Sequence, residues 1–203
     1  MKGFFVTGIG TAIGKTIVST ILTEALHADY WKPIQAGNLE DSDTDFVLNN
    51  LTNPNSHVHA ERYRLNTPAS PHQAAIADGV TMNLEDFSLP ETDRHLIVEG
   101  AGGLMVPINE KDLIIDLISH LELPVILVAG IYLGSINHTL LSFEALRSRH
   151  IHVAGIVFNG PPNPATVDII LKHTGLHVIL RVNEEEMFDQ DVISRYANEV
   201  RIG

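Results

Sequence analysis

A glycine-rich segment near the start of the chain carries the residues best suited to chemistry. Residues 8–16 read GIGTAIGKT; they follow an apolar run and precede a stretch with helical spacing. Glycines let successive backbone N–H groups face a polyphosphate, and a helix N-terminus adds partial positive charge. Lys15 would neutralise phosphate oxygens and the Thr16 hydroxyl would bind Mg²⁺, so the segment predicts a P-loop. Gly8 stands one residue early for the usual spacing, and a plain glycine-rich turn is the alternative interpretation.

Two acidic positions are candidates for holding a divalent cation. Glu99 ends an apolar run that begins at His95, the place where P-loop enzymes carry the acid that organises Mg²⁺. A solvated loop glutamate is the alternative. Asp43 lies in the sequence DSDTD at residues 41–45, whose carboxylates can bind a hard cation through oxygen. The same residues suit a helix N-terminus, with Ser42 or Asp43 as the cap, and the spacing does not choose between these roles.

Three further positions stand where predicted strands end or helices begin. Lys32 closes a short apolar run, and a second ammonium group near Lys15 would suit an anionic transition state, although a surface lysine is the commoner interpretation. A helix start at Gly134 has free N–H groups for a carboxylate or phosphate, or Ser135 caps that helix. Asn159 ends another strand, where it either contacts a nucleobase through its amide or only makes a turn.

The composition describes a globular protein with an acidic surface. The chain has 203 residues, of which 44% are hydrophobic and 19% charged, and its formal net charge is −12. This length predicts one domain over residues 1–203 with a sizeable core. The negative charge argues against nucleic acid or an anionic membrane as a partner, because both attract basic surfaces. The absence of cysteine excludes disulfides, thiolate zinc sites and cysteine nucleophiles.

The chain shows no targeting or membrane signal. Its first residues enter an apolar strand without a charged-then-apolar leader. No apolar run approaches the roughly 20 residues that cross a bilayer. A cytoplasmic location is therefore expected.

Apolar periodicity predicts alternating strands and helices. Short apolar runs bounded by turn residues indicate buried parallel strands, and a spacing of three to four residues indicates helices. Residues 35–45 are predicted to form a polar loop, and residues 57–90 are predicted to be irregular apart from one helix. Strands are predicted over residues 2–7, 30–33, 95–99, 124–129, 153–158 and 178–181, and helices over residues 16–28, 46–51, 71–78, 113–121, 134–149, 166–174 and 189–197.

This alternation predicts an α/β protein. Its single parallel sheet would be flanked by helices on both faces, as in the P-loop NTPase fold. Ligands of such sheets bind beyond the carboxyl ends of the strands. Because the candidate residues follow strand ends, we expect them to form one site.

Six motifs taken together resemble dethiobiotin synthetase. They occur in the family's order and spacing over nearly the whole chain, and they weaken after Gly160. The early position of Gly8 in the loop is also typical of that family. The motifs are residues 8–16, KPIQ at 32–35, Asp43, ASPH at 69–72, VEGAGG at 98–103 and LGSINH at 133–138.

The resemblance implies an ATP-dependent ligase of biotin biosynthesis. Such an enzyme converts 7,8-diaminononanoate, CO₂ and MgATP into dethiobiotin, ADP and phosphate. One amine takes up CO₂ as a carbamate, whose oxygen attacks the γ-phosphate to give a carbamic-phosphoric anhydride. The second amine then closes the ring and expels phosphate. This chemistry asks the protein mainly for positioning and charge stabilisation. The resemblance also implies a homodimer with the substrate site near the subunit interface.

The resemblance also implies a role for each matching residue. Lys15 and Lys32 are implied to be catalytic, stabilising the carbamate and the transferring phosphoryl group. Thr16, Asp43 and Glu99 are the implied ligands of Mg²⁺. The implied ATP-binding residues are Gly10, Thr11, Ala12, Ile13, Gly14, Lys15, Thr16, Ile17, Asp43, Glu99, Gly100, Ala101, Gly102, Asn159 and Gly160. The implied substrate-binding residues are Thr11, Ala36, Gly102, Gly103, Gly134, Ser135, Ile136 and Asn137, with those at 134–137 serving the neighbouring subunit.

The chain departs from the family pattern at three places. Ile9 and Gly10 replace a more polar pair in the loop. Ala36 stands where the family tends to have a serine or threonine that can bond the substrate. Residues 181–184 lack the expected proline after the last strand, which leaves the choice between ATP, CTP and other nucleotides open.

Two other functions share the same nucleotide-binding core. Ligases of the cobyrinate or cobyrate synthase type carry a long glutaminase domain with a catalytic cysteine, and this chain has neither. Partitioning or maturation ATPases switch partners on hydrolysis and usually have an extra lysine early in the loop. This chain has Gly8, Ile9 and Gly10 there.

Overall fold

The computed structural model describes residues 3–202, and its elements alternate between strands and helices. The strands are β1 (Gly3–Gly8), β2 (Asp29–Trp31), β3 (Ile34–Ala36), β4 (Val58–His59), β5 (Tyr63–Leu65), β6 (Leu96–Gly103), β7 (Val125–Gly130), β8 (Val153–Asn159) and β9 (Val178–Val182). The helices are α1 (Lys15–Ala25), α2 (Asp43–Asn50), α3 (Pro71–Asp78), α4 (Ile114–Leu121), α5 (Ser135–Ser148), α6 (Pro164–Thr174) and α7 (Gln190–Ala197), with a 3₁₀ turn at Leu84–Asp86.

Seven parallel strands form the central sheet in the order β4-β2-β6-β1-β7-β8-β9. Successive side chains of a strand point to opposite faces, so the buried pair Phe5 and Val6 on β1 serve two different cores. Phe5 belongs to the core that includes Ile115 of α4, and Val6 belongs to the core that includes Ile21 of α1. Helices therefore cover both faces, as a parallel sheet requires. The predicted fold class is confirmed.

Most predicted elements are present with shifted ends. The helix at 71–78 agrees with α3, while α1 begins and ends earlier than predicted, and β6 continues through the glycines to Gly103. Helix α2 begins at Asp43 rather than at residue 46, because Ser42 and Asp45 form a capping box. The predicted start of the first strand at residue 2 lies outside the described residues. The single domain predicted over residues 1–203 stays a prediction.

The prediction of an irregular stretch at residues 57–90 was wrong. Strand β4 joins the edge of the central sheet, and β5 pairs with β3 in a separate two-stranded parallel sheet. These strands have two or three residues each, too few to show a period of two in the sequence. None of the helices within residues 3–202 is long and apolar enough to cross a membrane.

Candidate active site

The glycine-rich loop runs from the carboxyl end of β1 into α1 and is held by side chains around it. Gly14 is the N-cap of α1 with φ +86°, in the left-handed region that favours glycine. A Cβ atom on Gly14 would also lie 2.2 Å from Nδ2 of Asn159. Asn159, at the end of β8, donates from that Nδ2 to the Ile13 carbonyl at 2.9 Å. The Lys15 side chain folds back toward the loop, and its ammonium group donates to the Gly10 carbonyl at 2.9 Å.

Two carboxylates, a hydroxyl and an ammonium group meet beside this loop. Oγ1 of Thr16 lies 2.9 Å from Oδ1 of Asp43 and 2.8 Å from Oε1 of Glu99. Nζ of Lys32 donates to Glu99 Oε1 at 3.0 Å and also to Oδ2 of Asp43. Glu99 and Lys32 are almost fully buried, while Asp43 is partly exposed. Residues that are far apart in the chain therefore form one compact charged cluster.

The charges of this cluster explain its shifted pKa values. Burial would lower the pKa of Lys32, but the carboxylates of Glu99 and Asp43 outweigh burial and raise it. Burial would raise the pKa of Asp43, but the Lys32 ammonium and the hydrogen bonds from Lys32 and Thr16 lower it. Burial lowers the pKa of Lys15 to about 8, and the charge of Lys32 adds to that effect against the attraction of Glu99. Lys32 is therefore fully charged at neutral pH, whereas Lys15, with a pKa of about 8, loses its charge just above neutral pH.

A cleft of about 730 Å³ contains this cluster. Its wall includes both lysines, the predicted metal ligands and the segment at residues 68–71. Gly10, Gly100 and Gly103 do not line it; a Cβ atom on Gly100 would lie 2.8 Å from the Phe5 ring, so that glycine allows close packing. The sequence-predicted site residues that line the cleft are Thr11, Ala12, Ile13, Gly14, Lys15, Thr16, Ile17, Lys32, Ala36, Asp43, Glu99, Ala101 and Gly102.

A second cavity of about 320 Å³ adjoins the cleft. Ala12, Ile13 and Ile17 line both spaces, so the loop and the start of α1 form the wall between them. Asn159 and Gly160, both predicted to bind nucleotide, line this second cavity.

The predicted anion site at the start of α5 lies away from the cleft. Gly134, Ser135, Ile136 and Asn137 do not line it. The interpretation of Ser135 as a helix cap was wrong, because Gly134 occupies the N-cap position with φ +101°. No side chain caps the start of this helix by a hydrogen bond. Ser135 is buried and its Oγ accepts from the Tyr132 N–H at 3.4 Å.

The cluster has the donor chemistry that Mg²⁺ requires. Mg²⁺ is usually held by one or two carboxylates, with water and phosphate oxygens completing its shell. Thr16 brings its hydroxyl within 2.9 Å of one carboxylate and 2.8 Å of the other, so three hard oxygen donors already converge. Within residues 3–202 there is no larger group of histidines and carboxylates for a metal. The capping role of the 41–45 segment belongs to Ser42 and Asp45, which leaves Asp43 free to face the cleft.

Sequence reasoning missed two residues of this site. Tyr30 is fully buried and donates from its phenol to Oε2 of Glu99 at 2.9 Å. Its signal was its position two residues before Lys32, since alternate residues of an extended segment share a face. Gln35 lines the cleft, donates from Nε2 to the Gly37 carbonyl at 2.9 Å and leaves its buried Oε1 without a partner. Burial of an amide in a strand of three residues has no signal in the sequence.

The fold and the loop define the class of protein first. Because the loop leads from the central strand β1 into α1, and Glu99 lies on the neighbouring strand β6, the chain is one of the P-loop nucleotide-binding proteins. A family model described as AAA domain matches residues 2–191. The chain resembles the solved structure of a ParA family ATPase from Chlorobium tepidum TLS, with TM-score 0.56 and 12% identity over 98% of this chain and 99% of the other. It also resembles the cell division ATPase MinD of Pyrococcus furiosus, with TM-score 0.59 and 13% identity over 98% of each chain. At such identities the likeness concerns the fold alone.

Curated relatives then identify the family. The ATP-dependent dethiobiotin synthetase BioD of Christiangramia forsetii is 52% identical over 200 residues, which cover 98% of this chain and 96% of the relative. The protein of the same name from Cytophaga hutchinsonii is 50% identical over 198 residues, which cover 97% and 96%. The chain belongs to the dethiobiotin synthetase family. The resemblance predicted from the motifs is confirmed, and the two alternative functions are not favoured.

Proposed function

We propose that this protein uses ATP and CO₂ to close the ureido ring of dethiobiotin on 7,8-diaminononanoate, releasing ADP and phosphate. The names of the relatives support an ATP-dependent dethiobiotin synthetase. The observation that carries the proposal is the cluster in the cleft, where Lys32 is bonded to both Asp43 and Glu99 beside the loop that carries Lys15. Positioning and charge stabilisation are what the transfer of a phosphoryl group to a carbamate needs.

The nucleotide is proposed to lie along the loop with its phosphates in the cleft. The N–H groups of residues 10–17 face the phosphates, and the Lys15 ammonium neutralises their oxygens. Thr16, Asp43 and Glu99 would hold Mg²⁺, which supplies charge neutralisation between the phosphate oxygens when bound. Glu99, Ala101 and Gly102, which line the cleft, form the next part of the ATP site, and Gly100 lies between them against Phe5. Asn159 and Gly160 face the nucleobase in the second cavity.

The diamine is proposed to lie next to the phosphates. Thr11, Ala36 and Gly102 line the cleft there, and Gly103 lies behind them against the loop. The Lys32 ammonium, kept charged by its two carboxylates, stabilises the carbamate and the negative charge that develops on the transferring phosphoryl group. The protein itself supplies orientation and charge, and the reacting groups come from the substrates.

We further propose a homodimer in the cytoplasm. The apolar side chains of Leu133, just before α5, and Leu141, in the middle of α5, are exposed by 103% and 61% respectively. Contiguous exposed apolar surface marks protein–protein contacts, and these two side chains are proposed to belong to such a surface. In a dimer the N–H groups of residues 134–137 would receive the substrate carboxylate of the other subunit.

The test is product formation from defined substrates. Dethiobiotin should appear in mass spectra only when ATP, Mg²⁺, bicarbonate and the diamine are all present, with one ADP released for each ring closed. Lys32→Ala should still bind ADP within a few-fold of the wild type but lose roughly a hundredfold or more of its turnover. Lys111→Ala, at an exposed loop position, is the matched control and should turn over normally. ATP consumption that ignores the diamine, or normal turnover by Lys32→Ala, would refute the proposal.

A further inference from the structure

We propose that Glu185 selects the nucleobase, its carboxylate accepting a hydrogen bond from the exocyclic amine of adenine or cytosine. Bases with a carbonyl at that position, hypoxanthine and uracil, would then be disfavoured. The inference rests on the proposed function, because it takes the phosphates to lie on the loop.

The charges of the two adjoining spaces set the direction of the nucleotide. The cleft contains the ammonium groups of Lys15 and Lys32 together with the carboxylates of Asp43 and Glu99. Both carboxylates are bonded to Lys32, so Lys15 on the loop is the cation that attracts phosphate. Among the residues described, none that lines the second cavity is lysine, arginine or histidine, and two that line it are Glu184 and Glu185. A polyphosphate is repelled there, whereas a neutral base with an N–H donor is attracted. Ala12, Ile13 and Ile17 line both spaces, so the two are adjacent, and a nucleotide lying over these residues would reach both.

Glu185 is held in place before any ligand binds. Its Oε1 accepts from the Tyr196 phenol at 2.6 Å and from Nη2 of Arg195 at 2.8 Å. The Tyr196 oxygen in turn accepts from the Asn183 N–H at 3.1 Å, which ties the segment after β9 to α7. Oε2 of Glu185 takes part in no hydrogen bond with another residue of the described chain. An ionised carboxylate can accept several hydrogen bonds, so Oε2 is free for a donor from the ligand.

Two residues that line the second cavity, Glu185 and Asn159, offer hydrogen-bond acceptors. The hydrogen bond from Tyr196 lowers the pKa of Glu185, so the group is ionised and acts only as an acceptor at neutral pH. Asn159 uses its Nδ2 to donate to the Ile13 carbonyl, which orients its amide and leaves Oδ1 as the atom for a ligand. Adenine and cytosine present an amine donor at the position where guanine and thymine present a carbonyl acceptor. A carbonyl placed against these oxygens would gain no hydrogen bond and would meet like partial charge.

The first experiment uses nucleoside diphosphates and the unaltered protein. Dissociation constants are measured by calorimetry for ADP against IDP and for CDP against UDP, pairs that differ in the amine and its carbonyl replacement. We expect the amine-bearing member of each pair to bind about tenfold tighter, since a hydrogen bond to a charged group is lost in the other. Equal affinities within each pair would overturn the inference and leave the proposed function standing. Failure of all four to bind would overturn both.

The second experiment assigns the preference to Glu185. Glu185→Gln keeps the size and one acceptor oxygen but can turn a donor toward a carbonyl, so the ratio of IDP to ADP dissociation constants should fall toward one. Glu186→Gln is the matched control, because Glu186 is exposed beside it and does not line the cavity. Its ratio should equal that of the wild type. Full discrimination in a folded Glu185→Gln protein, checked by circular dichroism, would show that another group selects the base.

Discussion

The phenol of Tyr30 donates to Oε2 of Glu99 at 2.9 Å, and the two side chains are 0% and 1% exposed. Burial raises the pKa of Tyr30 well above its ordinary value, and the Glu99 carboxylate adds to that shift, so the phenol remains a donor. The other oxygen of Glu99 faces Thr16 and Lys32. Tyr30 therefore fixes the orientation in which Glu99 presents one oxygen to the cleft.

Tyr30→Phe should weaken the response to Mg²⁺ as well as the fold. The change removes one hydroxyl and leaves a buried carboxylate oxygen without its donor, at a cost of about 1–3 kcal/mol in the free energy of unfolding. Because Glu99 then loses one of the three donors that orient it, the Mg²⁺ concentration for half-maximal ring closure should rise several-fold. Denaturant titration and activity against Mg²⁺ concentration measure the two effects.

Tyr63→Phe is the matched control for that substitution. The Tyr63 phenol donates to Oδ2 of Asp86 at 2.7 Å, a phenol–carboxylate pair whose residues do not line the cleft. The Tyr63→Phe protein should have a lower free energy of unfolding than the wild type, and its Mg²⁺ concentration for half-maximal ring closure should be unchanged. An unaltered Mg²⁺ response in Tyr30→Phe would contradict the positioning role of Tyr30.

Nucleotide affinity should fall with alkaline pH because of Lys15. Burial lowers its pKa to about 8, so below that pH it is an ammonium group and above it a neutral amine. Phosphates favour the charged form, so the ADP dissociation constant should be steady near pH 7 and rise above about pH 8, by at most tenfold per unit. Lys32 stays charged over this range since its pKa is raised.

Calorimetry of ADP binding at several pH values provides the measurement. Lys15→Ala should bind more weakly throughout and lose the dependence between about pH 7 and pH 9. The wild type should also take up protons on binding in the alkaline part of the range. A dissociation constant that does not change there would refute the role given to the titration of Lys15.

Ala36→Ser should improve binding of the diamine. Ala36 lines the cleft at a position where the family tends to have a hydroxyl that can bond the substrate. A restored hydrogen bond should lower the KM for the diamine by about threefold to tenfold. The KM for ATP serves as an internal control and should stay the same. An unchanged or raised KM for the diamine would place its contacts elsewhere in the cleft.

Leu141→Glu should dissociate the proposed dimer. Leu141 on α5 is 61% exposed, and a carboxylate there would be buried without a partner at an apolar interface. Light scattering after size-exclusion chromatography should give a molecular mass of twice 22.3 kDa for the wild type. The variant should have a mass of about 22.3 kDa. Leu48→Glu, an equally exposed leucine on α2, is the control. A wild-type mass of one chain would refute the dimer.

The sequence allowed much of the site to be predicted, and the structure supplied its contacts. The loop at residues 8–16 was recognisable because its glycines, lysine and threonine are adjacent in the chain. The position of Lys32 next to Glu99 could only be expected from the resemblance, since local spacing favoured a surface lysine. Gln35 was given no role because nothing in its neighbours shows that its amide is buried, whereas the spacing of Tyr30 from Lys32 was a signal that went unused.

By itself the sequence determined the alternation of strands and helices, the phosphate-binding loop and the family, because these depend on local periodicity and on motifs read along the chain. The tertiary structure decided which charges meet. Strand β6 lies between β1 and β2 in the sheet, so the register brings Glu99 beside both the loop of Thr16 and the segment of Lys32. The short strands β3 and β5 likewise arise from pairing between distant segments, because a strand is stabilised by packing against its cross-strand neighbours rather than by its own local sequence.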